Sequence, residues 1–233
     1  MNTPPEIPPP LPGAQNFEAM PQPLSATSII ETLLKYPARI IHELKHERGR
    51  AIVFYLVLIG VLGIGVYGIV VGSLSGGTQM LVAPAKLVLG TIMATLICLP
   101  SLYIFVCLSG IDAPIRSVAG SLFAAVTLCA LLLIGFAPVA WIFSQSTDSV
   151  VFMGALHLIF WFIGIAFGLR LIGAMCRQAG AKGNGHLRIW TMIFLLVCFQ
   201  MTTTLRPIIA RSAAFFPSEK KFFISYWFET LGK

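Results

Sequence analysis

A chain of 233 residues that is 57% hydrophobic and only 11% charged does not fit the soluble globular class, in which about a quarter of residues are charged. Its net charge of +7 does not point to nucleic acid. The basic residues sit at the ends of apolar segments, where the positive-inside rule and snorkelling put them.

The first stretch, residues 1–24, holds eight prolines and almost nothing to bury. It reads as a disordered or polyproline II tail, and its PPPLP run suits an aromatic-lined groove on a cytoplasmic partner. Residues 25–50 differ. Ser28 followed by Glu31 has the spacing of a capping box. Ile29, Ile30, Leu33 and Leu34 make an apolar stripe that Ile40, Ile41 and Leu44 repeat beyond Pro37. With Lys35, Arg39, Lys45, Arg48 and Arg50 beside it, the pattern predicts an amphipathic helix broken near Pro37 and lying on the membrane surface. A helix packed on a soluble partner would carry the same stripe.

Five apolar segments follow, at 51–72, 86–110, 117–143, 150–175 and 189–209. Each is long enough for the roughly 20 residues that cross a bilayer core, and helix is the open-chain structure that satisfies every backbone polar group there. Between Lys86 and Asp112 lie 25 residues without a formal charge. Pro84 reads as a boundary before that span, Pro100 as a bend inside it, and Pro138 as a bend in the next. Gly68 and Gly72 form one GxxxG, and Gly164 and Gly168 a second; small residues so spaced let a neighbouring helix backbone approach. Leucine at Gly164 and Gly168 is therefore expected to disrupt assembly. Residues 210–233 are basic and aromatic, suited to the membrane surface.

Lysine and arginine number five, one and three in the N-terminal segment, the loop after the second span and the loop after the fourth. The other two connections have none apart from Lys86. That bias predicts a cytoplasmic N-terminus and, with five spans, a C-terminus outside, although the tail carries Arg211, Lys220, Lys221 and Lys233.

No aspartate or glutamate falls inside a predicted span, which argues against proton-coupled transport and intramembrane proteolysis by acid residues or metal. No HExxH, P-loop, dinucleotide fingerprint or Gly-x-Ser-x-Gly elbow is present. No catalytic residue, metal or cofactor is expected. Five cysteines, Cys98, Cys107, Cys129, Cys176 and Cys198, lie without CxxC spacing in or beside apolar segments and read as small hydrophobes. The remaining polar residues read as ties between helices. His157 and Gln200 fall at similar depth, about 10 Å from the outer side by helix rise, where a hydrogen bond between them is worth about 1 kcal/mol. Asp148 and Arg206 share the outer rim and suit an ion pair, unless Arg206 snorkels. The sharper reading of His157 is a proton carrier or ligand in a polar cavity.

The stretches APAK (83–86), LPSLY (99–103) and QMTTTLRP (200–207) resemble bacterial Yip-like membrane proteins. The layout of an amphipathic helix, five closely spaced spans and prolines within the second and third is similar to the Yip family as a whole. The resemblance implies a multi-pass protein of the bacterial inner membrane. It implies a non-enzymatic accessory or scaffold role exercised through a membrane-protein partner or a second copy of the chain, and it transfers no catalytic residue. The expected fold is all-α, an integral membrane bundle of five helices. The alternative function is a small oligomeric channel or transporter with a polar pathway near His157, Gln200 and Arg206.

Overall fold

The computed structural model describes residues 24–204 except 47, 75, 148 and 182–184. The expectations for the proline-rich tail, for the end of the fifth span (205–209) and for the aromatic tail (210–233) lie outside the described residues. Those described form seven helices in the order α1 (Ala26–Lys35), α2 (Pro37–Glu43), α3 (Gly49–Ser73), α4 (Gln79–Leu108), α5 (Ile115–Ser146), α6 (Val150–Gln178) and α7 (Gly185–Thr204). No strand occurs among them.

Four helices, α3 to α6, are long and apolar enough to cross a membrane, not five. The apolar part of α7, Gly185–Met201, is shorter; its 17 residues rise only about 26 Å, against a hydrocarbon core of about 30 Å. Among the described residues α7 therefore does not qualify as a span by length, and the remainder of the expected fifth span, 205–209, lies outside them.

α5 is the centre of the bundle. It packs on α3 and α6 and more lightly on α4, while α4 packs on α3 and carries α7 on its other flank. The inward face of α5 is built from small residues, among them Gly120, Ser121, Ala124, Ala125, Ala130, Ala137 and Ala140. In lipid there is no hydrophobic drive between helices, so close van der Waals contact over small side chains has to hold them. Many large apolar residues face outward, as Phe54 (65% exposed) on α3 and Leu81 (80%) on α4 do.

Three boundaries differ from the sequence pattern. The N-cap of α1 is Ser25, whose side chain accepts from the Ser28 amide, so the capping box at Ser28 does not form; Glu31 instead pairs with Lys35 at 2.7 Å. α4 begins at Gln79, seven residues before the predicted span, and Pro84 lies within it rather than ahead of it. The break at Pro37 is present, with that proline opening α2, where a missing N–H costs nothing.

The N-terminal pair is not a free surface helix. Ile29, Leu33, Ile40, Ile41 and Leu44 are all buried, with α1 against α3 and α5, and α2 against α5 and α6. Most of the apolar stripe thus faces the bundle, while Leu34 stays exposed. Gly120 makes this possible, because a Cβ there would sit 2.5 Å from Leu44 Cδ2.

Candidate functional site

The polar interior of the bundle centres on Tyr67 of α3 and His157 of α6. Tyr67 lies six residues from the end of α3 and His157 seven from the start of α6, so both sit about 10 Å in from the same end of the bundle. α3 and α6 both pack on α5, and the two side chains meet across the gap between them. The Tyr67 hydroxyl and His157 Nδ1 are 2.7 Å apart, with ring centroids at 5.5 Å and the planes edge-on at 89°. Tyr67 is fully buried and His157 is 5% exposed.

With the phenol donating to Nδ1, a neutral imidazole carries its proton on Nε2; with the roles reversed, Nε2 is a bare acceptor. In both cases Nε2 is buried without a hydrogen-bond partner among the described residues. A buried polar atom in that condition is an exception in native proteins and is commonly met by an ordered water.

His157 therefore bonds across helices, its Nδ1 to the Tyr67 hydroxyl. Gln200 is on α7, half-buried, and α7 packs chiefly on α4. Asp148 and Arg206 lie outside the described residues. The sequence signal that would have found Tyr67 is chemical. A phenol in the middle of a glycine-rich apolar helix has to bond something when water is excluded.

Further ties follow the same logic. Thr127 Oγ1 reaches both Leu56 O at 2.7 Å and Phe123 O at 2.8 Å, joining α5 to α3. Ser73 and Ser144 are 3.1 Å apart at the end of the same two helices. Trp190 of α7, fully buried, donates from Nε1 to Ser101 Oγ at 3.1 Å and Cys98 O at 3.3 Å on α4.

Both GxxxG pairs face neighbours in the same chain. A Cβ on Gly68 would collide with the Pro84 backbone and lie 2.9 Å from Pro84 Cβ; one on Gly72 would lie 2.5 Å from Gln79 O. α3 and α4 thus touch backbone to backbone at their turn. A Cβ on Gly164 would meet Cys129 Sγ at 2.6 Å, and one on Gly168 the Ala125 carbonyl oxygen at 2.9 Å, which seats α6 on α5. These glycines serve the fold of one chain before any assembly.

Lys86, read from sequence as the edge of a span, is fully buried within α4. The described cysteines are all free thiols; Cys98, Cys129 and Cys176 are buried and Cys107 is exposed. Among the described residues no group of three or more His, Cys, Asp or Glu is placed to hold a metal ion. No protein-family model, curated protein or solved structure matches the chain.

Proposed function

We propose that this is a non-enzymatic accessory or scaffold protein of the bacterial inner membrane, of Yip-like layout, with its N-terminus cytoplasmic. The observation that carries the reading is the bond between Tyr67 and His157. The one histidine within a spanning helix is engaged in holding α3 to α6, as Thr127 holds α5 to α3. A bundle whose interior polar groups bind helix to helix is suited to presenting fixed outer surfaces to a membrane-protein partner or to a second copy. Residues 1–24 would then engage a cytoplasmic partner. The test is crosslinking in native membranes followed by identification of what is recovered. A reproducible complex with another membrane protein supports the reading. Recovery of the chain alone, with neither another membrane protein nor a second copy, overturns it.

A second reading, a small channel or transporter, is favoured by one observation, the unsatisfied Nε2 of His157 inside the bundle. Solute or proton flux in proteoliposomes that disappears in His157→Ala, with the fold intact, would establish it in place of the first.

A further inference from the structure

One end of the bundle carries α1 and α2, the last turns of α4 and α6, and the first turns of α3, α5 and α7. Exposed basic side chains from three separate parts of the chain gather there: Lys45 and Arg50 from the N-terminal segment, Arg116 from the start of α5, and Arg177 and Arg188 around the α6–α7 connection. At the opposite end no lysine or arginine is exposed among the described residues, because Lys86 is buried. The acidic groups at the basic end do little to offset this. Glu43 is buried, Glu31 is paired with Lys35, Asp112 is exposed, and Glu47 lies outside the described residues.

The placement of three of these arginines is unfavourable for the helices themselves. Arg50 and Arg116 are second residues of α3 and α5, and Arg188 is the fourth residue of α7. A cation in the first turn opposes the helix dipole, and none of the three helices has an acidic residue in that turn to offset it. The packing of α1 and α2 adds a second point. Most of their apolar stripe is buried against the bundle, with Leu34 left exposed, so little of that stripe is free for hydrophobic insertion at the lipid surface. Charge makes up the larger part of what this end exposes.

We propose that this basic end is a docking surface for the headgroups of anionic phospholipids, with Arg50, Arg116 and Arg188 meeting lipid phosphate. Clustered Lys and Arg beside a membrane helix attract anionic lipid by about 1 kcal/mol each, close to fivefold in affinity. A guanidinium also bonds phosphate through two parallel N–H donors. The inference holds under either functional reading above.

The test uses the full chain in detergent micelles doped with phosphatidylglycerol or with phosphatidylcholine, read by native mass spectrometry and thermal melting. Phosphatidylglycerol is expected to be retained and to raise the melting temperature. Phosphatidylcholine should do neither. Retention should fall about fivefold for each of Arg50→Gln, Arg116→Gln and Arg188→Gln, and should survive largely in the triple lysine variant, which keeps the charge. Equal retention of the two lipids would overturn the proposal, and so would an unchanged triple glutamine variant or full stabilisation by inorganic phosphate alone. If the glutamine variants do not fold, the unaltered chain decides: stabilisation by phosphatidylglycerol that persists in molar salt, where surface charge is screened, also overturns it.

Discussion

The Tyr67 hydroxyl lies 2.7 Å from His157 Nδ1, a bond between two helices whose common neighbour is α5. Its strength is open to direct measurement. Tyr67→Phe keeps the ring and leaves His157 with both nitrogens unsatisfied, so it is expected to cost about 1–3 kcal/mol. His157→Leu removes the tie and the unsatisfied Nε2 together but leaves the buried Tyr67 hydroxyl unpaired, so a cost of similar size is expected. A double-mutant cycle, followed by tryptophan fluorescence during unfolding in detergent, should give a coupling of about 1 kcal/mol. Strict additivity would mean that the bond contributes nothing.

The glycines divide into two sets by what a methyl group would meet. Gly68→Ala drives a carbon into the Pro84 backbone, whereas Gly135 and Gly154 have nothing within 4 Å. Overpacking a tight contact costs about 1–3 kcal/mol, so Gly68→Ala should lower the melting temperature in detergent while Gly135→Ala and Gly154→Ala leave it unchanged or raise it. Gly164→Leu belongs with Gly68. It should loosen α6 from α5 within a single chain, and native electrophoresis should register a less stable protein rather than a smaller complex.

How much of this was legible beforehand depends on the kind of signal. The spanning helices follow from uninterrupted apolar runs, because composition alone decides whether a helix can reside in lipid. Helix ends depend on local competition that composition does not encode. Ser25 took the cap from Ser28, and α4 extends back through Pro84 because Gly68 leaves room for that ring beside α3. The stripe on α1 and α2 gave their amphipathic character but not what they would bury against, since bilayer and bundle present the same apolar surface to Leu44. Likewise His157 was identifiable as a tie, while its partner depended on which helices flank α5. The fifth apolar segment is seen only in part, as the shorter apolar helix Gly185–Met201, so four spans stand among the described residues.

Leu44 tests how firmly the N-terminal pair is held. It is fully buried, seated over Gly120, and near it the Ser117 hydroxyl donates to its carbonyl at a long 3.5 Å. Packing is therefore the main tie at Leu44 itself. Leu44→Ala is expected to cost about 2–5 kcal/mol, and Gly120→Leu should displace the same side chain from the other direction. Hydrogen exchange should then rise across residues 26–46 while α3 and α5 stay protected. Uniform loss of protection throughout the bundle would show that the pair is not a separately held element.

The Glu31–Lys35 pair gives α1 a pH dependence. The hydrogen bond from Lys35, and then its charge, hold the Glu31 carboxyl below its ordinary value, and Glu31 in turn raises Lys35. A depressed carboxyl contributes stability that is present above its unfolded value and lost as pH falls through the folded one. A raised ammonium contributes stability that is lost as pH rises through its folded value. The pair thus supports α1 between the usual carboxylate and lysine ranges and fails on both sides. Both side chains are well exposed, so the effect is small and screened by salt. Exchange protection in α1 should drop modestly below the carboxylate range, and Glu31→Gln should remove the acid-side part of that dependence.

Trp190 holds α7 to the rest of the molecule. It is fully buried, stacks on Phe194 with centroids 5.2 Å apart, and donates to Ser101 Oγ and Cys98 O of α4. α7 packs chiefly on α4, and this anchor lies at that contact. Trp190→Phe keeps most of the packing and loses the donor, leaving a cost of about 1 kcal/mol. Trp190→Ala opens a cavity and should cost about 3–5 kcal/mol, enough to free α7 while α3 to α6 stay assembled. The readout is thiol labelling of Cys198, which is half-buried on α7, against Cys129, which is buried on α5. In Trp190→Ala a maleimide should modify Cys198 much faster than before and Cys129 no faster. Equal acceleration at both thiols would mean that α7 is integral to the bundle and that Trp190 supports the whole fold rather than one helix.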